Sequence, residues 1–298
     1  VKMPHHSTYR RILEEVIDGV ELEELVSQFL KSRPKTGRSV VIVIDGKTIR
    51  GTIPSATEPG IHLLAAYIPS EKLVLAQVEV EGKENEIVAA PRLLAGLNLH
   101  KKIVIGDAMH TQRQLSMQVY LAGGDYVWFV KENQPNLLWD LKMLFEPQKP
   151  IPGLGNPPDD FRTVTTIGKG HGRIEQRQIT VSSQLKDYLD WPYLQQVFKL
   201  DRRRLAVKTG KTHIETVYGI TSLPKDQAAP EKLLHITRSE WGIENGLHYC
   251  RDVTFQEDRI RMTRKKAGRV MATINNLIIG LLALQHYGNF ASARRRFD

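Results

Sequence analysis

Asp45 closes the apolar run Val40 to Ile44 in "RSVVIVIDGK", and Asp107 closes a second such run in "KKIVIGD". Both runs are rich in β-branched residues and read as buried strands. If those strands lie side by side, both carboxylates reach one sheet edge, where the ligands of α/β proteins collect. Two close carboxylates repel and raise each other's pKa unless a cation sits between them. Oxygen-only sets of this kind suit Mg²⁺ or Mn²⁺. Two such ions about 3.5–4 Å apart assist displacement at a phosphodiester by acting on the attacking and leaving oxygens. The chemistry needs a third carboxylate, and Glu244 in "EWGIENGLHY" is the best placed. Ile243, Leu247 and Cys250 form an apolar helical stripe with Glu244 at its border. Glu257 and Asp258 in "FQED" are the second choice.

Each residue also has a plain structural reading. An Asp before Gly, as at Asp45 and Gly46, ordinarily forms a turn. Asp107 stands where it would cap the following helix, and a lone helical Glu is ordinarily solvated.

Composition favours a globular protein with a polyanionic partner. The 298 residues are 41% hydrophobic, enough for one large or two ordinary domains. Lys and Arg number 42 against 33 Asp and Glu, a net charge of +9. The single Cys250 excludes an internal disulfide and a Cys-cluster zinc site. No apolar run approaches the ~18 residues that span a bilayer, and the first residues lack the order of a signal peptide. The expectation is a cytoplasmic, nucleoid-associated protein.

The elements that would position the carboxylates follow from periodicity. Residues 1–37 read as a helical segment ending in the linker "KSRPKTGRS". Three strand runs follow, Val40 to Ile44, "IHLLAAYI" and "LVLAQVEV", with the short connections of an antiparallel meander. Helix, strand, helix, strand and helix then alternate through "NEIVAAPRLLAGL", "KKIVIGDAMH", "TQRQLSMQVYLAGG", "DYVWFVKENQP" and "NLLWDLKMLF". This is an α/β order with a mixed sheet. Residues 38–146 form the first part of that core and 147–226 a β-rich insertion behind a Pro- and Gly-rich stretch. Residues 227–298 return to helices, the last of them, "AGRVMATINNLIIGLLALQHY", apolar enough for the core.

The motifs "VIDGKTIRGT", "HLLAAY", "KENEI", "GDAMHTQRQ", "VKENQP", "HGRIEQR", "WGIENGLHYCRDVTFQED" and "RVMATINNLIIGLL" occur in this order over about residues 4 to 284. Together they resemble the H-repeat-associated group of bacterial insertion-sequence transposases. The resemblance implies an RNase H-like core of the DDE type, interrupted by a β-strand insertion before the last carboxylate. It carries the first Asp onto Asp45, the second onto Asp107 and the Glu onto Glu244. Where related transposases have a Tyr, Arg and Lys around that Glu, this chain has Thr237, Glu240 and Arg251, with Arg238 near by.

The implied activity is cleavage of DNA at the ends of a mobile element and joining of the freed 3′-hydroxyl to target DNA. Mg²⁺ is the expected cofactor, with Mn²⁺ able to substitute, and a homodimer on duplex DNA the expected assembly. A nuclease that cuts without joining, and an inactive remnant that only binds DNA, are the alternatives. Lys47, Arg50, Lys131, Gln134, Arg238, His248 and Arg251 are expected to hold DNA near the carboxylates, with His171 and Arg173 farther out. Basic clusters at 201–204 and 259–266 would add to a salt-sensitive affinity. "GKGHGR" lacks the Lys and Ser or Thr of a P-loop, so no nucleotide cofactor is expected, and no membrane association.

Overall fold

The structure, a computed structural model, describes residues 3–32, 40–54, 59–82, 84–146, 160–170, 172–262 and 265–296. Most of the expected linker after the N-terminal helices, the Pro- and Gly-rich stretch before the insertion, and His171 lie outside them. In chain order the first elements are α1 (His6–Arg11), α2 (Gly19–Lys31), β1 (Val40–Ile49), β2 (Ile61–Ile68), β3 (Leu73–Val80) and α3 (Glu86–Ala95). Then come β4 (Lys102–Gly106), α4 (Arg113–Leu121), β5 (Asp125–Val130) and α5 (Pro135–Phe145). The insertion supplies β6 (Arg162–Gly170), β7 (Arg173–Ser182), β8 (Gln196–Ala206) and β9 (Thr212–Thr221). The chain ends with α6 (Pro230–Ser239), two π-helical turns (Ile243–His248 and Cys250–Thr254), α7 (Lys265–Leu284) and α8 (Phe290–Arg294).

These elements fall into two compact units, Val1–Lys102 with Ser239–Asp298, and Ile103–Arg238. In the first, β1, β2 and β3 form the expected antiparallel meander, with Asp45 opposite Ala65 and Leu64 opposite Val78. Leu30, Val26 and Leu73 are buried together, with Leu22, Phe29, Leu277 and Leu284 packed on them. Each such side chain fully removed from water contributes about 1.5–3 kcal/mol. A polar network sits inside this packing: Gln77 donates to Glu23 and Thr273, Asn276 donates to Gln77, and Arg269 pairs with Glu23. Such a network fixes one arrangement of α2, β3 and α7 because every shift would leave a buried group unpaired.

By length and composition α7 could cross a membrane. Its buried residues Ala267, Val270, Ala272 and Ile279 instead give it the packing of a core helix, in contact with α2, β2 and β3.

In the second unit β4 and β5 pair in parallel, and α4 makes the crossover between them. β5 pairs antiparallel with β9, and β8, β7 and β6 follow in order. The β-rich segment is thus a continuation of the strand ladder from β5 rather than a separate body. Its base is apolar, with Ile179, Val181, Phe198 and Leu200 buried. Trp128 of β5 is also buried and donates its indole N–H to Ser116 of α4 at 3.0 Å.

Candidate metal centre

The turn that an Asp-Gly pair ordinarily makes does not form at Asp45 and Gly46. β1 runs through both residues to Ile49, and the chain turns later, at Arg50–Thr52. Thr48 and Ile49 continue the β-branched pattern, so the ladder to β2 has no reason to end at the carboxylate. The requirement for glycine at 46 is steric. A Cβ there would stand 2.5 Å from both His62 Nε2 and Glu86 Cδ. Those two side chains occupy the space: His62 Nε2 is 2.8 Å from Glu86 Oε1, and its Nδ1 is 2.8 Å from Thr48 Oγ1.

Glu244 sits in a π-helical turn, where the amide of Tyr249 bonds back to the Glu244 carbonyl. Such one-turn bulges recur at functional sites because they redirect side chains within a helix. Ile243, Leu247 and Cys250 are buried, and Glu244 stands at the border of that stripe with its side chain 57% exposed. Two glycines allow the close seat on β2. A Cβ on Gly246 would be 2.7 Å from the Tyr67 hydroxyl, and one on Gly242 would be 2.6 Å from Pro69 Cβ.

The turn also directs His248 inward. Its side chain is 6% exposed, with Nδ1 at 3.5 Å from Glu244 Oε2 and 3.7 Å from Asp45 Oδ2. One donor atom from each of Asp45, Glu244 and His248 lies within 4.8 Å of the others. Burial pushes the Asp45 carboxyl up to about 6; His248 opposes this, and the negative charges of Glu86 and Glu244 add to it. Glu244 is held below its ordinary value by the His248 ring, against its partial burial, with Lys47 assisting. Two carboxylates and an imidazole converging on one point, one of them resisting ionisation, form a set that a divalent cation would satisfy.

Residues 36–281 match the family described as "Transposase DDE domain". The chain is 30% identical over 285 residues to "H repeat-associated putative transposase YhhI" of Escherichia coli (strain K12), covering 94% of this chain and 73% of that protein. The chain belongs to the H repeat-associated DDE transposase family. It is also 31% identical over 192 residues to "H repeat-associated putative transposase YbfD" of the same strain, covering 64% of this chain and 73% of the relative. Among solved structures it is similar to the piggyBac transposase synaptic complex with hairpin DNA, at TM-score 0.50 and 10% identity. That likeness covers 95% of this chain and 55% of the other, so the chain spans about half of that transposase. The fold is therefore the RNase H-like mixed α/β class that the motifs implied. Membership makes the protein a DNA-acting enzyme of a class that uses divalent metal.

Against this background the remaining expected residues of the transposase separate into inward and outward groups. Lys47 is buried, with Nζ 2.7 Å from Asp252 Oδ1 and 3.4 Å from Asp258 Oδ1. Arg251 is 1% exposed and pairs with Glu257 at 2.8 Å. Both side chains are engaged inside the protein, so neither faces solvent where a phosphate would lie. The Glu257 and Asp258 carboxylates, second choices as metal ligands, are taken up by these same ion pairs. Arg50 stays 81% exposed, 3.8 Å from Asp258. Lys131, Arg173 and Arg238, in the second unit, are exposed.

Also in the second unit, Asp107 follows β4 and accepts a bond from the Met109 amide at 2.9 Å, opening a short 3₁₀ turn. Gln134 donates to the Thr111 carbonyl at 2.9 Å, and Asn133 to that of Ala108 at 2.6 Å. The "KENQP" motif thus fastens the turn that follows Asp107. Sequence reasoning missed the Thr48, His62 and Glu86 chain. Its signal was present, since the three residues stand in the motifs "DGKTIRG", "HLLAAY" and "KENEI", the last two of which carried no assigned chemistry.

Proposed function

We propose that this chain cleaves DNA at the ends of an insertion sequence and joins the freed strand to target DNA, using Mg²⁺. The convergence of Asp45, Glu244 and His248 inside a DDE transposase domain is the observation that supports this reading most. Asp107 completes the acidic set on the strength of its motif. Asp45 and Glu244 supply anionic oxygens for one cation, and Lys47, fixed behind them, favours the ionised form of Glu244. Bound cations would polarise the scissile phosphate and lower the cost of charge on the attacking and leaving oxygens. Water attacks the phosphorus first and a 3′-hydroxyl leaves; that hydroxyl then attacks a target phosphorus and displaces a second 3′-oxygen. Arg50, Lys131, Arg173 and Arg238 hold phosphates along the path. The working form is a homodimer bringing two element ends together, acting in the bacterial cytoplasm on nucleoid DNA.

The test incubates the protein with Mg²⁺, labelled element ends and a plasmid target. Joined products are expected, and Asp45→Asn, Asp107→Asn and Glu244→Gln should each abolish them while DNA binding persists. Cutting without joining would replace the transposase reading with a nuclease. Binding without cutting would leave a DNA-binding remnant.

A further inference from the structure

We infer that His248 is a ligand of the cation held by Asp45 and Glu244, contributing its Nδ1 nitrogen. This deepens the proposed function and rests on it. The sequence placed His248 among the phosphate contacts, but the geometry turns it the other way. The side chain is 6% exposed, its Nδ1 faces the two carboxylates, and its Nε2 is buried with no hydrogen-bond partner among the described residues. A phosphate has no solvent-facing nitrogen to meet.

The distances leave room for an ion among the three groups. An N–H···O bond closes to about 2.7–3.2 Å. Adjacent donors about 2.0–2.2 Å from an octahedrally coordinated ion such as Mg²⁺ or Mn²⁺ stand roughly 2.8–3.1 Å apart. The Nδ1 separations of 3.5 and 3.7 Å, with all three donors inside 4.8 Å, are longer than a direct bond, and the donors would draw in by roughly half an ångström around an ion. The π-helical turn also explains how residues 244 and 248 aim at one point. Gly242 and Gly246 let that turn lie against β2, so the His248 ring reaches Asp45 on the neighbouring strand.

A nitrogen donor changes which metal the site prefers. Mg²⁺ favours oxygen and water, whereas Mn²⁺ accepts imidazole as well as carboxylate. With His248 as ligand, this site binds Mn²⁺ more tightly than an all-oxygen site would, and the advantage depends on the ring.

The experiment loads the full chain with Mn²⁺ and records electron spin echo modulation, alongside calorimetric titrations with Mn²⁺ and with Mg²⁺. The wild type should show ¹⁴N modulation from a coordinated imidazole, and His248→Gln should lose it. Its Mn²⁺ affinity should fall by about tenfold or more, with Mg²⁺ affinity changed by less than about threefold. His248→Asn serves as a second variant, and thermal melts establish that each is folded. Absence of ¹⁴N modulation in the wild type, or its persistence with unchanged Mn²⁺ affinity in a folded variant, overturns the assignment. Asp45→Asn separates the two levels. Loss of Mn²⁺ binding there with none in the His248 variants leaves the carboxylate site standing and removes only the nitrogen ligand. Wild-type binding by Asp45→Asn would defeat the metal centre itself.

Discussion

His62 Nε2 and Glu86 Oε1 lie 2.8 Å apart in the space that a side chain on residue 46 would fill. The pair locks the start of α3 to β2 and brings the Glu86 charge close enough to Asp45 to raise its pKa. A glycine that reads as a turn former in sequence is therefore the clearance that lets a carboxylate approach the candidate ligand.

Gly46→Ala should cost about 1–3 kcal/mol, because the new Cβ overpacks against both partners inside a regular strand. Urea denaturation measures the loss. Combining it with His62→Ala, which empties part of the contested space, should recover a share of that loss. An unchanged midpoint for Gly46→Ala alone would show that the His62 and Glu86 side chains move aside freely.

Lys47→Met should reduce stability by about 1–3 kcal/mol, since Asp252 and Asp258 would face each other without the cation between them. The salt dependence of DNA binding should keep its wild-type slope. A slope smaller by about one in log affinity against log salt would instead mark Lys47 as a phosphate contact.

Arg251 and Glu257 are 1% and 3% exposed, and Asn275 donates a further bond to Glu257. Arg251→Met should cost about 3–5 kcal/mol, because it strands a buried carboxylate. Arg251→Met with Glu257→Leu should cost less than the single change, and a double-mutant cycle read from denaturation midpoints checks this. The comparison matters because the sequence placed Arg251 at the DNA.

The contrast between these residues shows what the sequence could and could not carry. Continuous apolar, β-branched runs located β1, β2 and β3 because these strands bury consecutive side chains, as in Ile42–Ile44, Leu63–Ile68 and Leu73–Leu75, and that pressure is written locally. Glu244 was legible for the same reason, as a charged position bordering an apolar helical stripe. The inward turn of Lys47, His248 and Arg251 was not. A basic residue looks alike in sequence whether it meets a phosphate or a carboxylate far along the chain, and Lys47 meets Asp252 and Asp258 across more than 200 positions. The β-rich segment was legible as strands, but its continuation from β5 depends on the pairing of Val127 with Thr221, which no local pattern encodes.

Asp45 sets a pH dependence of definite sign. Its carboxyl, ordinarily near 3.8, is pushed up to about 6, first by burial. The folded protein therefore holds a proton that the unfolded chain releases between about pH 4 and 6. In the metal-free protein stability should fall as pH rises through that window and then level off, with Asp45 charged in both states. Asp45→Asn should abolish this fall and leave the metal-free protein more stable at pH 7 by up to about 3 kcal/mol. A divalent cation reverses the balance, because it binds the ionised carboxylate. Its apparent affinity should weaken by up to about tenfold per unit as pH drops below about 6. Chemical denaturation from pH 4 to 8, with and without Mg²⁺, measures both trends. A flat wild-type profile without metal would show that Asp45 ionises as freely in the fold as in the open chain.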